Sequence, residues 1–263
     1  MRRLLALFIG LWITAFALAD EAGYALAEKR YNRSNGRDSS SIGQMILTEK
    51  GHSPRTRELV IYRMDKSRTE TAGLIRFLEP EDIAGTGLLT LDKPGSDADQ
   101  WLYLPALDKV RRISGSRKGG RFVGSDLYYE DLQERHPDKD EHRILGKENI
   151  NGVACDILES IPLDEDNSAY NKRIAWIDPK TLLPMRIDFF EKNPDTPSKR
   201  LALIRKEKIQ GYWTVMESRM TDLKSGHETQ LILNAVQYDR KLPASLFTTQ
   251  TLADENLEAE YRP

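Results

Sequence analysis

Cysteine is nearly absent: Cys155 is the single one in 263 residues. One thiol permits no intrachain disulfide, which excludes a small scaffold held by bridges. It lies in Val153-Ala154-Cys155-Asp156-Ile157-Leu158, a strand-like run, and so reads as a buried inert thiol rather than a reactive or intermolecular one. An excess of one charge is also missing. Lys and Arg number 39 against 41 Asp and Glu, for a net charge of -2. Nucleic-acid binding needs a dominant basic face and is excluded as a function class. No Gly-x-Ser-x-Gly elbow and no phosphate-cradling glycine loop occurs, so a hydrolase has little support and no cofactor is implied. There is no internal repeat, no low-complexity stretch and no Pro/Gly-rich linker. A single domain follows, because all-β chains of this length often form one unit.

Long hydrophobic runs are limited to one, Leu4 to Leu18, broken by Gly10 and Thr14. It is short of the roughly 20 residues that span a bilayer. Arg2 and Arg3 precede it, and Ala17-Leu18-Ala19 follows with a small-x-small pattern before Asp20. That is the layout of a cleaved signal peptide, residues 1–19, with an uncleaved anchor as the alternative. The expectation is export, with residues 20–263 as the mature domain. No cysteine follows the cleavage point, so the mature chain is not itself a lipoprotein. Loss of Arg2 and Arg3 moves the net charge from -2 to -4.

What is present reads mainly as strands. After a short helical stretch, Glu21 to Tyr31, the apolar period changes to two at Ile42. Ile42–Thr48, Thr56–Met64 and Thr69–Leu78 follow one another through short polar turns, as in an antiparallel meander. Gly87–Leu91, Trp101–Leu104 and Lys109–Ile113 are shorter candidates. Ser125 reads as an N-cap for a helix from Asp126 to Glu134, ended by His136-Pro137. Strands then resume at Arg143–Leu145, Gly152–Ser160, Tyr170–Ile177, Met185–Glu191, Lys199–Ile209, Tyr212–Asp222 and Glu228–Tyr238. The fold class is mainly β (α+β): one large curved antiparallel sheet around a helical plug. Some strands are apolar on both faces, as with Leu59 and Ile61 against Val60 and Tyr62, and with Ile187, Phe189 and Phe190. Such a sheet is either covered on both sides or lines an apolar cavity.

One succession is more specific. Phe77-Leu78-Glu79-Pro80-Glu81-Asp82-Ile83-Ala84-Gly85-Thr86-Gly87-Leu88-Leu89 precedes Trp101-Leu102-Tyr103-Leu104-Pro105-Ala106-Leu107-Asp108-Lys109-Val110-Arg111-Arg112-Ile113. Then comes Phe122-Val123-Gly124-Ser125-Asp126-Leu127-Tyr128-Tyr129-Glu130-Asp131-Leu132. This block resembles the outer-membrane lipoprotein-sorting protein family in its LolA-like branch. Gly152-x-x-Cys155, Trp176-Ile177-Asp178 and Leu246-Phe247-Thr248 support the resemblance, which covers nearly all of the mature chain. It implies a half-open antiparallel barrel whose concave side is covered by short helices, with lipid or lipoprotein acyl chains held between them. It also implies the periplasm of a Gram-negative cell. A resistance-nodulation-division (RND) type inner-membrane transporter is implied as partner.

The expected function is therefore a carrier, not an enzyme, working as a monomer with at most peripheral membrane contact. The alternative is a non-transporting envelope scaffold that docks on a transporter. Candidate cavity residues are Phe77, Leu88, Leu89, Trp101, Tyr103, Phe122, Tyr128, Trp176, Phe189 and Trp213, each of which is equally an ordinary core residue on periodicity alone. Lys109, Arg111, Arg112, Arg117, Lys118 and Arg121 form a basic cluster around Gly115, Gly119 and Gly120. It is either a solvated hairpin or a docking patch for an anionic headgroup or partner. Asp126 and Glu130 fall on one helical face, read as solvated acids rather than an acid/base pair. The spacing within His136-Pro137-Asp138-Lys139-Asp140-Glu141-His142 fits no usual zinc pattern, so no metal is expected. His52 and His227 sit in turns with no partner evident.

Overall fold

The computed structural model describes residues 11–67, 69–93, 97–193 and 195–263, with backbone only for 11–20. Of the expected leader, residues 1–10 lie outside the described residues. Helix α1 runs Leu11–Tyr31.

Thirteen strands make one antiparallel sheet. In chain order they are β1 (Asp38–Thr48), β2 (Arg55–Asp65), β3 (Thr71–Glu79), β4 (Gly87–Asp92), β5 (Asp99–Leu104), β6 (Lys109–Arg112), β7 (Asp140–Ile150), β8 (Val153–Pro162), β9 (Lys172–Ile177), β10 (Pro184–Phe190), β11 (Lys199–Ile209), β12 (Tyr212–Asp222) and β13 (Glu228–Tyr238). The spatial order is β6-β5-β4-β3-β2-β1-β13-β12-β11-β10-β9-β8-β7. The sheet is thus two meanders joined where β1 pairs with β13, Met45 opposite Leu231. It is curved but not closed, because β6 and β7 are its two free ends.

The chain must travel from β6 to β7, from one end of the sheet to the other. Residues 113–139 make that journey across one face, which becomes the inner face. Sequence periodicity places a helix over Asp126–Glu134, but the segment holds only short 3-10 turns, at Gly115–Arg117, Phe122–Gly124, Tyr129–Leu132 and Pro137–Lys139. The reason is that its polar groups bond to the sheet rather than along a helix. Arg57 donates to the Val123 carbonyl at 2.6 Å, Gln100 to that of Tyr129 at 3.0 Å, and Lys199 to that of Asp126 at 2.8 Å.

The two-sided apolar pattern has a direct cause. Leu59 and Ile61 face inward, with Phe77, Leu88, Phe122 and Tyr129. Val60 and Tyr62 face outward and are covered by Leu242, Leu246, Phe247 and Leu252 of the C-terminal segment, which includes helix α2 (Thr249–Ala253). This half of the sheet is sandwiched between the crossing segment and the C-terminus. The outer cover is clamped by Arg76, which is fully buried. Its Nε and Nη2 donate to Glu258 Oε1 and Oε2, each at 3.1 Å. Its remaining donors reach the carbonyls of Gly85 (2.7 Å), Leu252 (2.9 Å) and Thr251 (3.0 Å). All five guanidinium N–H groups are thereby used.

At the other end, α1 packs on β7 and β8. Gly23 makes the approach possible, since a Cβ there would stand 2.5 Å from the His142 carbonyl oxygen.

Candidate functional site

The inner face of the second meander is not filled as the first is. Between it, α1 and the crossing segment lies a cavity of about 380 Å³, within the usual range of roughly 300–1,000 Å³ for ligand pockets. One wall is apolar and comes from the sheet: Leu158 of β8, Ala175 of β9, Ile187 and Phe189 of β10, Leu201 of β11, Val215 and Met220 of β12. These residues share a face because the register puts Leu158 opposite Ala175, Ala175 opposite Ile187, Ile187 opposite Leu201 and Leu201 opposite Met220. The opposing wall is ionic. It carries Arg30 and Arg33 at the end of α1, and Glu130, Asp131, Glu134 and Arg135 of the crossing segment.

The acids of this wall are engaged. Glu130 is ion-paired with Arg173 and accepts from Ser168 Oγ and the Ala169 N–H, both at 2.6 Å. Asp140 pairs with Arg135 at 2.7 Å and Arg173 at 3.3 Å. Glu134 accepts from Arg63 at 3.1 Å. Asp131 accepts from the Tyr170 hydroxyl (2.9 Å to Oδ2) and the Tyr128 N–H (2.7 Å). Burial pushes the Asp131 carboxyl up to about 6 despite these donors. Burial also pushes the Lys199 ammonium down to about 8. It lies 2.8 Å from the centroid of the Tyr128 ring.

A second polar centre pins the crossing segment. Asp126 is fully buried. Its Oδ2 meets His227 Nδ1 at 2.5 Å and accepts from Thr229 Oγ1 at 2.8 Å. Neither Asp126 nor Glu130 belongs to a solvated helical face, and the pair does not converge, since each bonds a different strand.

The sequence-derived cavity candidates are distributed over four packing groups. Phe189 lines the cavity. Phe77, Leu88 and Phe122 form the inner core of the first meander, with the Phe77 and Phe122 rings stacked at 5.5 Å. Leu89, Trp101 and Tyr103 lie on the outer face under the C-terminal segment. Trp176 and Trp213 cluster with Cys155, Leu183, Met185 and Leu203. Tyr128 stacks on Tyr170 at 5.6 Å and donates to Glu191 Oε1 at 2.8 Å. The cavity's aliphatic wall was open to sequence reading only as period-two alternation, which shows two faces without saying which is inner. Its arginines carry no local signal at all.

The basic cluster divides. Lys118 is buried and pairs with Asp97 at 2.6 Å. Arg121 pairs with Asp126 (3.3 Å) and Asp222 (2.9 Å), and Arg112 pairs with Asp99. Lys109, Arg111 and Arg117 are exposed. Cys155 is buried, and burial raises its thiol pKa. His142 is held by Ser160 Oγ and the Pro137 carbonyl oxygen, each at 2.9 Å.

An unclosed antiparallel sheet, crossed on its inner face and enclosing a cavity, has counterparts among solved structures. A LolA superfamily protein from Nitrosomonas europaea has the same fold, with 18% identity, a TM-score of 0.67 and coverage of 86% of this chain and 97% of that one. Two structures are nearer in sequence. An outer membrane lipoprotein-sorting protein domain from Vibrio parahaemolyticus is 31% identical, with a TM-score of 0.84 over 89% of this chain and 99% of the other. A DUF1329 family protein from Desulfovibrio piger is 34% identical, with the same TM-score and coverage. A family model described as "Uncharacterized protein" matches residues 69–254. No curated protein matches the chain. The chain belongs to the DUF1329 family, is similar over the same length to the lipoprotein-sorting protein domain, and shares its fold with the LolA superfamily protein.

Proposed function

We propose that this protein is a periplasmic carrier that shields the acyl chain of a lipid or lipoprotein in the cavity beneath α1. The observation that carries the reading is the aliphatic wall of β8 to β12, which is sheltered but not filled. Each methylene it shields contributes about 0.8 kcal/mol, so one chain supplies most of the binding free energy. Sequestration needs no cofactor and no bond-making chemistry. The relative described as a lipoprotein-sorting domain supports the same reading. The Arg2-Arg3 and Ala17-Leu18-Ala19 layout supports export, with a mature start near Asp20. The test is saturable uptake of an environment-sensitive fatty-acid probe by protein stripped of lipid. Leu201→Asp, which places an unpaired charge on the wall, is expected to abolish uptake while far-UV circular dichroism is retained. No saturable uptake by the stripped wild type would remove the carrier reading.

A docking role is supported by a different observation. Lys109 and Arg111 on β6 and Arg117 just beyond it are exposed and make no ion pair among the described residues, whereas Arg112, Lys118 and Arg121 are engaged by acids. They are suited to an anionic membrane or to an acidic face of an RND-type transporter. Replacing all three with Gln is expected to weaken sedimentation with anionic vesicles at low salt and to change little at high salt, where screening has already removed the attraction. Unchanged sedimentation at low salt would assign the three cations to ordinary solvation.

A further inference from the structure

The two walls of the cavity differ in chemistry, and the ionic wall, with four arginines and four acids, is unevenly paired. Glu130, Asp131 and Asp140 each have partners inside the fold, and Glu134 is taken by Arg63. Arg30 is left over. Its Nε is closed to solvent and meets no acceptor. Burial lowers its pKa and the like charge of Arg33 lowers it further, against a smaller opposing pull from the Glu134 carboxylate, which Arg63 already engages. Arg33 donates once, to the Trp213 carbonyl at 3.2 Å, and burial lowers its pKa too. Two guanidinium groups therefore face one cavity with far fewer acceptors than their planar forks can use.

An unpaired buried cation is costly, and a fold tolerates it where something else supplies the acceptor. That acceptor must be an anion able to take a guanidinium fork. It must also be attached to an apolar body that lies along Leu158, Ile187 and Leu201. We propose that the Arg30–Arg33 end of the cavity is a head-group subsite, and that the cargo is an amphiphile with an oxyanion head, a carboxylate or phosphate, on an acyl tail. This rests on the carrier reading and adds to it the charge and orientation of the cargo: head toward the end of α1, tail along the sheet. Arg–oxyanion pairs are charge-assisted and often bidentate, which gives selectivity that an apolar slot alone lacks.

The experiment compares four ligands of one chain length on lipid-stripped wild-type protein by displacement of a fluorescent probe: dodecanoate, dodecyl phosphate, dodecanol and dodecyltrimethylammonium. Both anions are expected to bind about tenfold or more tightly than dodecanol, the size of a charged hydrogen bond. The ammonium is expected to bind weakest. Inorganic phosphate alone is expected not to compete, because the tail carries most of the affinity. Arg30→Met should erase the anion preference, bringing both anions to the affinity of dodecanol on the same variant, and raise the melting temperature of the empty protein by removing a buried unpaired charge. Equal binding of all four ligands would overturn the head-group subsite while leaving the carrier intact. Failure of all four to bind would overturn both. Competition by inorganic phosphate as strong as that of dodecyl phosphate would make the site one for small anions and overturn the amphiphile. The ligand series on the wild type decides the matter even if Arg30→Met folds poorly.

Discussion

Buried ionic contacts tie distant parts of the chain together at single residues, and Arg76 with Glu258 is the fullest example. The pair spans the sheet and the C-terminal segment, with side chains 1% and 0% exposed. Removing one partner strands the other, which costs about 3–5 kcal/mol for a buried pair. Glu258→Ala should lower the urea-unfolding free energy by about that amount, whereas the double change Arg76→Met, Glu258→Leu should cost less. A loss under about 1 kcal/mol for Glu258→Ala would mean that the C-terminal cover is not held by this contact. Such residues were illegible in the sequence. Arg76 looks like the polar half of an alternating strand, and Glu258 like part of a polar tail. Asp126 and His227 are 101 positions apart, and Glu130 and Arg173 are 43 apart. No local pattern encodes partners at such separations, so Asp126 and Glu130 read as solvated acids although both are buried.

Elements were far more legible. Every run read as a strand overlaps a strand, because most keep alternation with a period of two and the runs apolar on both faces are rich in β-branched and aromatic residues. The edge strand β7 was read as Arg143–Leu145 and extends over Asp140–Ile150. Its outer half, Lys147-Glu148-Asn149, faces water on both sides and shows no alternation. The crossing segment was misread as a helix because its spacing is helical while its hydrogen bonds are not. Its attachment should be pH-dependent. Burial raises the Asp131 carboxyl to about 6, above the unfolded value near 3.9. The folded state therefore binds the proton more tightly. The stability this contributes is complete below about pH 4 and is lost as pH rises through about 6. Thermal denaturation of the wild type should show stability falling between pH 4 and pH 6.5, and Asp131→Asn should flatten that fall. An unchanged profile in the variant would place the titration elsewhere.

At the scale of the whole molecule, the two meanders use one sheet for different ends. The first is covered on both faces and fixed. The second leaves its inner face open beneath α1 and the crossing segment, and the cavity lies there. Two apolar faces were visible in the sequence at Leu59 to Tyr62 and again at Ile187 to Phe190. Which of them meant a covered sheet and which a cavity depended on where residues 113–139 and the C-terminal segment come to rest. That placement is set by long-range contacts such as Arg76 with Glu258 and Asp126 with His227. Native mass spectrometry of the protein purified gently from the envelope tests the carrier claim most directly. The account predicts a polypeptide starting near Asp20 with a lipid-sized adduct, and no adduct on Leu201→Asp. A clean, unliganded mass for the wild type under the same conditions would contradict it.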